Sequence, residues 1–600
     1  MKTNPLLLAS LTLLLISFSL TLPGRINYER IDVKDSLHLT RAQMQKYCGE
    51  YLPEGNDPRM APMGIVLHGD LLYRHVRTDY VALNAVAEHK FEYDDKSGRS
   101  LEFSLAPNGE VNEVLVKRSD GQFKFKRNPN PVSLPQFPEV KGSSAKIAQL
   151  MDKYSETQAY SGSVLVSEHG KVIYKKAFGM ANYEWDIPNQ TDTKFRLASV
   201  SKQFTAMLIL QMVQEGKLDL HVPIITYLPD YPKSQGQKIT LHHLLSHSSG
   251  IPNFTSFETY RSKVMRNPFT PAELVRQFDT LPLQFEPGQR FDYSNSGYVL
   301  LGYIIEKVSG KSYEQNLRDR IFGPLHMNNS GVDHNDALIP KRATGYDNSG
   351  IGLSNAGFID MSVPFSAGAL YSTVEDMYLW DQALLGTTLL SDQYKQLMLK
   401  DYFKGKQGAY GYGWGVRSLN SIRQNRKTLL TEHSGGINGF NTFISRIPED
   451  KFMVVLLSNV NGAALGDISY SIRAIVYDQP YDVPKRSIAN ALAGWIRTQD
   501  LNTALKKYQD SKNAPEYYLE EGEVNALGYE YMKENKLQEA IEVLKLNVEA
   551  FPNSGNCYDS LGEAYQKHGD KDLAIKNYKR SVELDPKNEN GKKVLAELMK

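Results

Sequence analysis

Phe195-Arg196-Leu197-Ala198-Ser199-Val200-Ser201-Lys202-Gln203-Phe204 opens an apolar run that continues to Gln214 and meets Gly216. The pattern predicts a helix over Val200–Gln214, stopped by Gly216. Ser199 and Lys202 stand at i and i+3 on one helical face, so the amine can reach the hydroxyl. A serine hydroxyl is a weak nucleophile until a neighbouring base takes its proton. Lysine can do so when desolvation and nearby positive charge or hydrogen bonding depress its pKa. At a helix N-terminus, free backbone N–H groups and the positive dipole end also lie beside any negative charge that develops. Taken alone, Ser-x-x-Lys is a weak signal: Ser143-Ser144-Ala145-Lys146 repeats it and reads as an ordinary helix start.

Two further segments give Ser199 its context. Glu286-Pro287-Gly288 leads to Phe291, Tyr293-Ser294-Asn295 and Gly297-Tyr298, placing Tyr293 and Asn295 on a loop just ahead of a helix predicted over Tyr298–Val308. A phenol poised near cations can act as phenolate and shuttle protons, and a carboxamide can orient a substrate carbonyl. The short Tyr-x-Asn pattern recurs at Tyr346-Asp347-Asn348, so the flanks decide. His433-Ser434-Gly435-Gly436 ends a predicted strand, Leu429–His433, and its glycines would let a substrate backbone approach a sheet edge. The backbone N–H of Gly436, with that of Ser199, would form an oxyanion hole.

These segments belong to a mixed block, residues 141–484. Gly162–Glu168 and Lys171–Phe178 read as a hairpin across His169-Gly170, and Phe440–Ile447 and Phe452–Asn459 as another across Pro448-Glu449-Asp450. Strands at both ends with helices between predict an α+β domain, its antiparallel sheet closed by segments distant in the chain. His243 and His247 lie at i, i+4 with no acidic residue between them in the metalloprotease pattern, and read as structural.

At Ser199/Lys202, Tyr293/Asn295 and His433/Gly435 the chain resembles the serine β-lactamase/penicillin-binding-protein superfamily, in its class C β-lactamase-related branch of D-alanyl-D-alanine carboxypeptidases, D-aminopeptidases and esterases. Flanking segments agree: Leu244-Leu245-Ser246-His247-Ser248-Ser249-Gly250-Ile251-Pro252, and Ala367-Gly368 with Leu370 and Ser372. The resemblance spans about Ala145–Val476 and implies a five-stranded antiparallel sheet flanked by helices. It also implies two-step acyl transfer without metal or other cofactor. Ser199 would be the nucleophile, with Lys202 and Tyr293 moving its proton. Asn295 would hold the substrate amide, and His433 and Gly435 would bind on the third side. One departure matters. His433 replaces the usual Lys, a permanent cation suited to a substrate carboxylate, whereas His is neutral much of the time at pH 7. Efficient β-lactam hydrolysis is therefore disfavoured, and a peptidase or esterase acting on a small peptide, amide or ester is favoured. Lys96-Ser97-Gly98 and Lys406-Gln407-Gly408 mimic the third motif in the wrong contexts. The competing reading is a catalytically idle relative serving as a binding or assembly protein through its repeats; the lysine kept beside Ser199 argues against it.

Outside this block, residues 37–127 carry short alternating runs at Gly64–Leu67, Leu71–Val76, Leu101–Leu105, Val111–Lys117 and Phe123–Lys126, separated by Gly, Asp and Asn turns. They predict a small all-β barrel or sandwich. Tyr47, Gly49, Tyr51, Leu71, Tyr73, Phe91 and Phe103 give it a weak likeness to the lipocalin-like barrels appended to such hydrolases. A Pro-rich linker, 128–140, follows. At the other end, residues 487–600, Leu527-Gly528, Tyr531, Ala540 and Pro552 recur as Leu561-Gly562, Tyr565, Ala574 and Pro586, each 34 positions on. That is the tetratricopeptide period, a surface for a protein partner, with the helices from Ser487 to Lys512 expected alongside as a degenerate unit.

Thr3–Gly24 is uncharged and Leu-rich behind Lys2, so residues 1–24 read as a signal peptide or an uncleaved membrane anchor, and the rest of the chain as exported, periplasmic or secreted. Lys+Arg total 69 against 68 Asp+Glu, which offers no general electrostatic case for nucleic acid. Cys48 and Cys557 are the sole cysteines, which excludes a disulfide framework, a zinc ribbon and an iron–sulfur site.

Overall fold

The computed structural model describes residues 37–55, 60–76, 79–94, 97–129, 141–157, 159–349, 352–405, 408–421, 426–514 and 516–599. Segment 1–24 and nearly all of the linker 128–140 lie outside them, as do Lys406 and Gln407. Among the described residues no helix is long and apolar enough to cross a membrane.

The N-terminal block closes as an eight-stranded antiparallel barrel: β1 (Gly49–Pro53), β2 (Met63–His68), β3 (Leu71–Val76), β4 (Asp79–Ala87), β5 (Lys90–Tyr93), β6 (Ser100–Leu105), β7 (Val111–Arg118) and β8 (Gly121–Arg127), with β1 pairing β8. Alternate residues fill it, among them Tyr51, Ile65, Leu72, Leu83, Phe91, Leu101 and Val114, and closure leaves no unpaired edge. The sequence runs locate five of these strands. They miss the short β1 and β5, and also β4, whose Ala, Asn and Asp content is poor in strand propensity and which is held by pairing on both sides. The barrel docks on the C-terminal end of the mixed block: the Tyr80 hydroxyl donates to Asp482 at 2.7 Å, and the His75 ring stacks on Tyr80 at 4.3 Å.

The mixed block is built on a second sheet. Its strands are β9 (Gly162–Glu168), β10 (Lys171–Phe178), β11 (Phe403–Gly405), β12 (Gly408–Tyr410), β13 (Gly415–Ser421), β14 (Arg426–Ile437), β15 (Phe440–Ile447) and β16 (Phe452–Ser458). Their order is β10-β9-β16-β15-β14-β13-β12-β11. Both predicted hairpins are present, and β16 pairs β9 to join the two chain ends. The expected five strands are β10, β9, β16, β15 and β14; the sheet has eight because the long β14 also pairs β13, which carries β12 and β11. Both faces are covered. Val164, Val166, Val454 and Leu456 pack under α1 (Ser143–Glu156) and, further along the chain, the helix Leu465–Val476. Leu165, Met453, Val455 and Leu457 face the larger core, which contains α2 (Lys202–Gln214) and α3 (Asn295–Ser309). The α2 helix is apolar on nearly every side and buried from Lys202 to Met212, which makes it the central helix of the domain.

The C-terminal block is helical. Naming Leu465–Val476 α4, it continues with α5 (Ile488–Thr498), α6 (Leu501–Ser511), α7 (Glu521–Lys533), α8 (Leu537–Ala550), α9 (Gly555–His568), α10 (Lys571–Leu584) and α11 (Glu589–Leu598). The small residues of the repeat sit where helices cross: a Cβ on Gly528 would lie 2.6 Å from the Leu544 side chain, and one on Gly562 3.1 Å from the Tyr578 ring. The α5 and α6 helices share one core with both repeats, through Ile488, Leu492 and Ala504.

Candidate active site

The turn before α2 departs from the simple helix start that the sequence suggests. Ala198 takes φ +49°, a left-handed conformation costly for a residue with a Cβ. A 3₁₀ turn, Ala198–Ser201, then precedes α2. The strained turn is clamped on both sides: the Leu197 N–H donates to Leu370 O at 2.7 Å, and the Thr442 hydroxyl to Leu197 O at 2.7 Å. Ser199 is thereby held at the mouth of a cavity of about 250 Å³.

Lys202 is fully buried beneath it, with Nζ 3.1 Å from Ser199 Oγ, 2.8 Å from Asn295 Oδ1 and 2.9 Å from Ala367 O. No carboxylate forms an ion pair with it among the described residues, and burial drives its pKa well below the ordinary lysine value. Asn295 is the first residue of α3, which Ser294 caps by accepting from Gly297 N. Because an ammonium or amine nitrogen approaches Oδ1, the amide nitrogen faces the other way and donates to Thr255 Oγ1 at 3.1 Å, its second N–H having no acceptor among the described residues.

Tyr293 sits beside the pair, its ring centroid 4.9 Å from Lys202 Nζ. Burial pushes its phenol upward, only partly opposed by the Ser199 hydroxyl, so the group stays protonated and the phenolate expected from sequence does not form at neutral pH. His433 is buried on β14. Its Nδ1 lies 2.6 Å from Ser434 O, and its Nε2 2.9 Å from the Tyr410 hydroxyl. A carbonyl only accepts, so Nδ1 carries the proton and Nε2 accepts from Tyr410. Burial, then the nearby Lys202, lowers its pKa to about 4. The ring is therefore neutral, as the replacement of Lys by His implies, and both of its nitrogens are engaged by Ser434 and Tyr410.

The two glycines of the third segment do different things. A Cβ on Gly435 would collide with Leu197 O and Thr442 Oγ1 and come within 3.1 Å of Ala198 Cβ, so the strand can lie against the nucleophile turn only with glycine here. The expectation that this glycine admits substrate is corrected: the space is filled by the chain itself. A Cβ on Gly436 would meet nothing nearer than the Asn441 amide at 3.9 Å. Beyond Glu432, the last residue paired with β13, β14 keeps only its β15 neighbour. Its open side there meets the cavity, which Gly436, Ile437 and Asn438 line together with Ser199 and Asn295.

The structure thus brings Ser199, Lys202, Tyr293, Asn295, His433, Gly435 and Gly436 to one place. Sequence reasoning missed Tyr410, Thr255 and the Ala367 carbonyl. Around Tyr410 the available signal is the alternation of aromatic residues with glycine in Tyr410-Gly411-Tyr412-Gly413-Trp414-Gly415. Nothing in the sequence pointed to Thr255.

A buried amine without a carboxylate, under a serine at the rim of a cavity, in an α+β domain, defines a serine hydrolase. The chain belongs to the beta-lactamase family, whose model, described as Beta-lactamase, matches residues 144–477. A Tetratricopeptide repeat model matches residues 555–588. The chain is 30% identical over 375 residues to the "Putative penicillin-binding protein PbpX" of Bacillus subtilis (strain 168), covering 62% of this chain and 88% of that one. Among solved structures it is similar to a penicillin binding protein from Bacillus halodurans (28% identity, 56% of this chain and 100% of that one, TM-score 0.49). It is also similar to a D-amino acid amidase from Ochrobactrum anthropi SV3 (26%, 55% and 97%, TM-score 0.46).

Proposed function

We propose that this chain is an exported hydrolase that transfers the acyl group of a neutral amide or ester to Ser199 and then to water. The carrying observation is the set of three oxygens around Lys202 Nζ. Two of them, Asn295 Oδ1 and Ala367 O, are carbonyl oxygens that can only accept. In a neutral amine they take both hydrogens and leave the lone pair facing the Ser199 O–H, the arrangement of a general base.

Ser199 Oγ attacks the substrate carbonyl carbon as its proton passes to Lys202 Nζ, and the carbonyl electron pair moves onto oxygen. The N–H groups of Ser199 and Gly436 receive that oxyanion. Collapse breaks the bond to the leaving nitrogen or oxygen, which takes the proton from Lys202 through the protonated Tyr293 phenol. Water then repeats the sequence on the acyl-serine. The second N–H of Asn295 orients the substrate amide or carbonyl.

Substrate class follows from the cavity walls. Phe254, Tyr260, Ile359 and Pro364 are apolar or aromatic, Thr255 and Asn438 polar and uncharged, and among the described residues no Lys, Arg or His lines the cavity. A free carboxylate beside the scissile bond would be desolvated there without a partner, at a cost of several kcal/mol. Amino-acid amides, uncharged peptides and short esters are thus favoured over carboxypeptidase substrates and β-lactams. Export rests on the uncharged apolar run at residues 3–24, and the repeats offer a surface for a protein partner. The test is a matched panel of a D-amino-acid amide, the corresponding peptide ending in a free carboxylate, a p-nitrophenyl ester and a chromogenic cephalosporin. Turnover of amide and ester at least tenfold above the carboxylate pair supports the reading; preference for the carboxylate pair overturns it.

A further inference from the structure

We propose that His247 is a positioning residue that holds Tyr293 in register with Ser199 and Lys202. This rests on the acyl-transfer reading above and goes beyond it, since His247 lies outside the three motifs and the sequence read it as structural.

The residue grips the loop on both sides of Tyr293. Its backbone carbonyl accepts from Asp292 N at 2.8 Å, and its ring Nδ1 accepts from Ser294 N at 3.1 Å. Between these anchors the Tyr293 ring lies against the imidazole, centroids 4.2 Å apart. The other sides of the imidazole meet Tyr410 at 4.9 Å and Tyr298 at 5.0 Å. One residue thus fixes the phenol by the chain before it, the chain after it and its ring face.

Two features show what this arrangement costs. His247 takes φ +57°, outside the range comfortable for a bulky side chain. Because Ser294 N–H can only donate, Nδ1 is unprotonated and the proton sits on Nε2, which is buried with no hydrogen-bond partner among the described residues. Strain and an unmet buried donor in one residue mark a position where geometry outweighs local stability. Burial, with Lys202 and His433 nearby, keeps the ring neutral, so Nδ1 remains an acceptor and adds no charge beside Lys202.

The tests are His247→Asn, His247→Gln and His247→Ala, alone and with Tyr293→Phe, assayed on a p-nitrophenyl ester with melting temperatures recorded for each. Asparagine tolerates the left-handed conformation and offers an oxygen near the Nδ1 position; glutamine and alanine do not. Since an ångström of misplacement costs about 100-fold in rate, H247A and H247Q should lower kcat roughly 30- to 100-fold with KM within about threefold, and H247N should recover most of it. In the Y293F background the loss from H247A should shrink to a few-fold, because the two act as a unit. H247N and H247Q equally impaired, or an undiminished H247A loss in Y293F, overturns the proposal. If H247A does not fold, the Asn and Gln variants still decide. A wild type that turns over nothing and takes no label at Ser199 overturns the acyl-transfer reading itself, which is a different outcome from active enzyme with silent His247 variants.

Discussion

Adding one methyl group at Gly435 should disable the site from behind, whereas the same change at Gly436 should not. A Gly435 Cβ would sit 3.1 Å from Ala198 Cβ and closer still to Leu197 O and Thr442 Oγ1, where carbon contacts normally begin near ~3.5 Å. The two oxygens it would strike are themselves joined by the 2.7 Å hydrogen bond that clamps the turn. Neither obstacle is the far end of a flexible chain, so the strand and the Leu197-Ala198 turn must separate. Overpacking of this kind costs about 1–3 kcal/mol, or roughly 2–12 °C in melting temperature at ~2–4 °C per kcal/mol. The adjacent Ser199 moves with the turn, and misplacement by about an ångström lowers the rate roughly 100-fold. Gly436→Ala has 3.9 Å of room and should leave melting unchanged, its effect confined to substrate affinity. Scanning calorimetry and the second-order rate of fluorophosphonate labelling measure both quantities. Wild-type melting and labelling in G435A would refute the reasoning, as would equal damage in G436A.

Lys202→Met should strongly reduce labelling yet stabilise the fold. The folded pKa of Lys202 is depressed by burial while the unfolded value stays near ~10.4, so in the window between them the unfolded chain binds the extra proton and stability rises with pH. K202M removes that slope, and urea unfolding at pH 6, 8 and 10 should show it more stable than wild type by a margin that narrows toward pH 10. For activity, kcat/KM on a neutral ester should rise with pH through the depressed Lys202 ionisation. His433, held at about 4, should add no inflection between about pH 5.5 and 8; a pH–rate profile checks both. Asp381→Ala should cost about 3–5 kcal/mol, because Arg446 is buried with it and would be left unpaired; chemical denaturation reads the loss.

What the sequence discloses about this site is what depends on short spacings. Ser199 and Lys202 are three positions apart, and helical periodicity places them together. Tyr293 and Asn295 stand just before an amphipathic run, which places them at a helix N-terminus. Pairing of β9 with β16 is harder to see, but two hairpins of buried alternating residues at the ends of one block suggest it. The unread features depend on contacts between distant segments. Gly435 is required by Leu197 and Thr442, which approach it only after β14 and β15 pair. The hydrogen bond that occupies His433 Nε2 depends on Tyr410, which a hairpin beyond the expected five strands delivers. The left-handed Ala198 carries no propensity signal, since alanine ordinarily favours the helix it here precedes. In the barrel, β4 escaped notice because its neighbours, not its composition, make it a strand.

Ser199 as the covalent acceptor is tested most directly by treating the intact protein with a fluorophosphonate and mapping the adduct by tandem mass spectrometry. The account predicts a single adduct on the peptide containing Ser199, absent from Ser199→Ala and strongly reduced in Lys202→Met. A wild type that acquires no adduct, or one whose adduct lies elsewhere and persists in S199A, would contradict it.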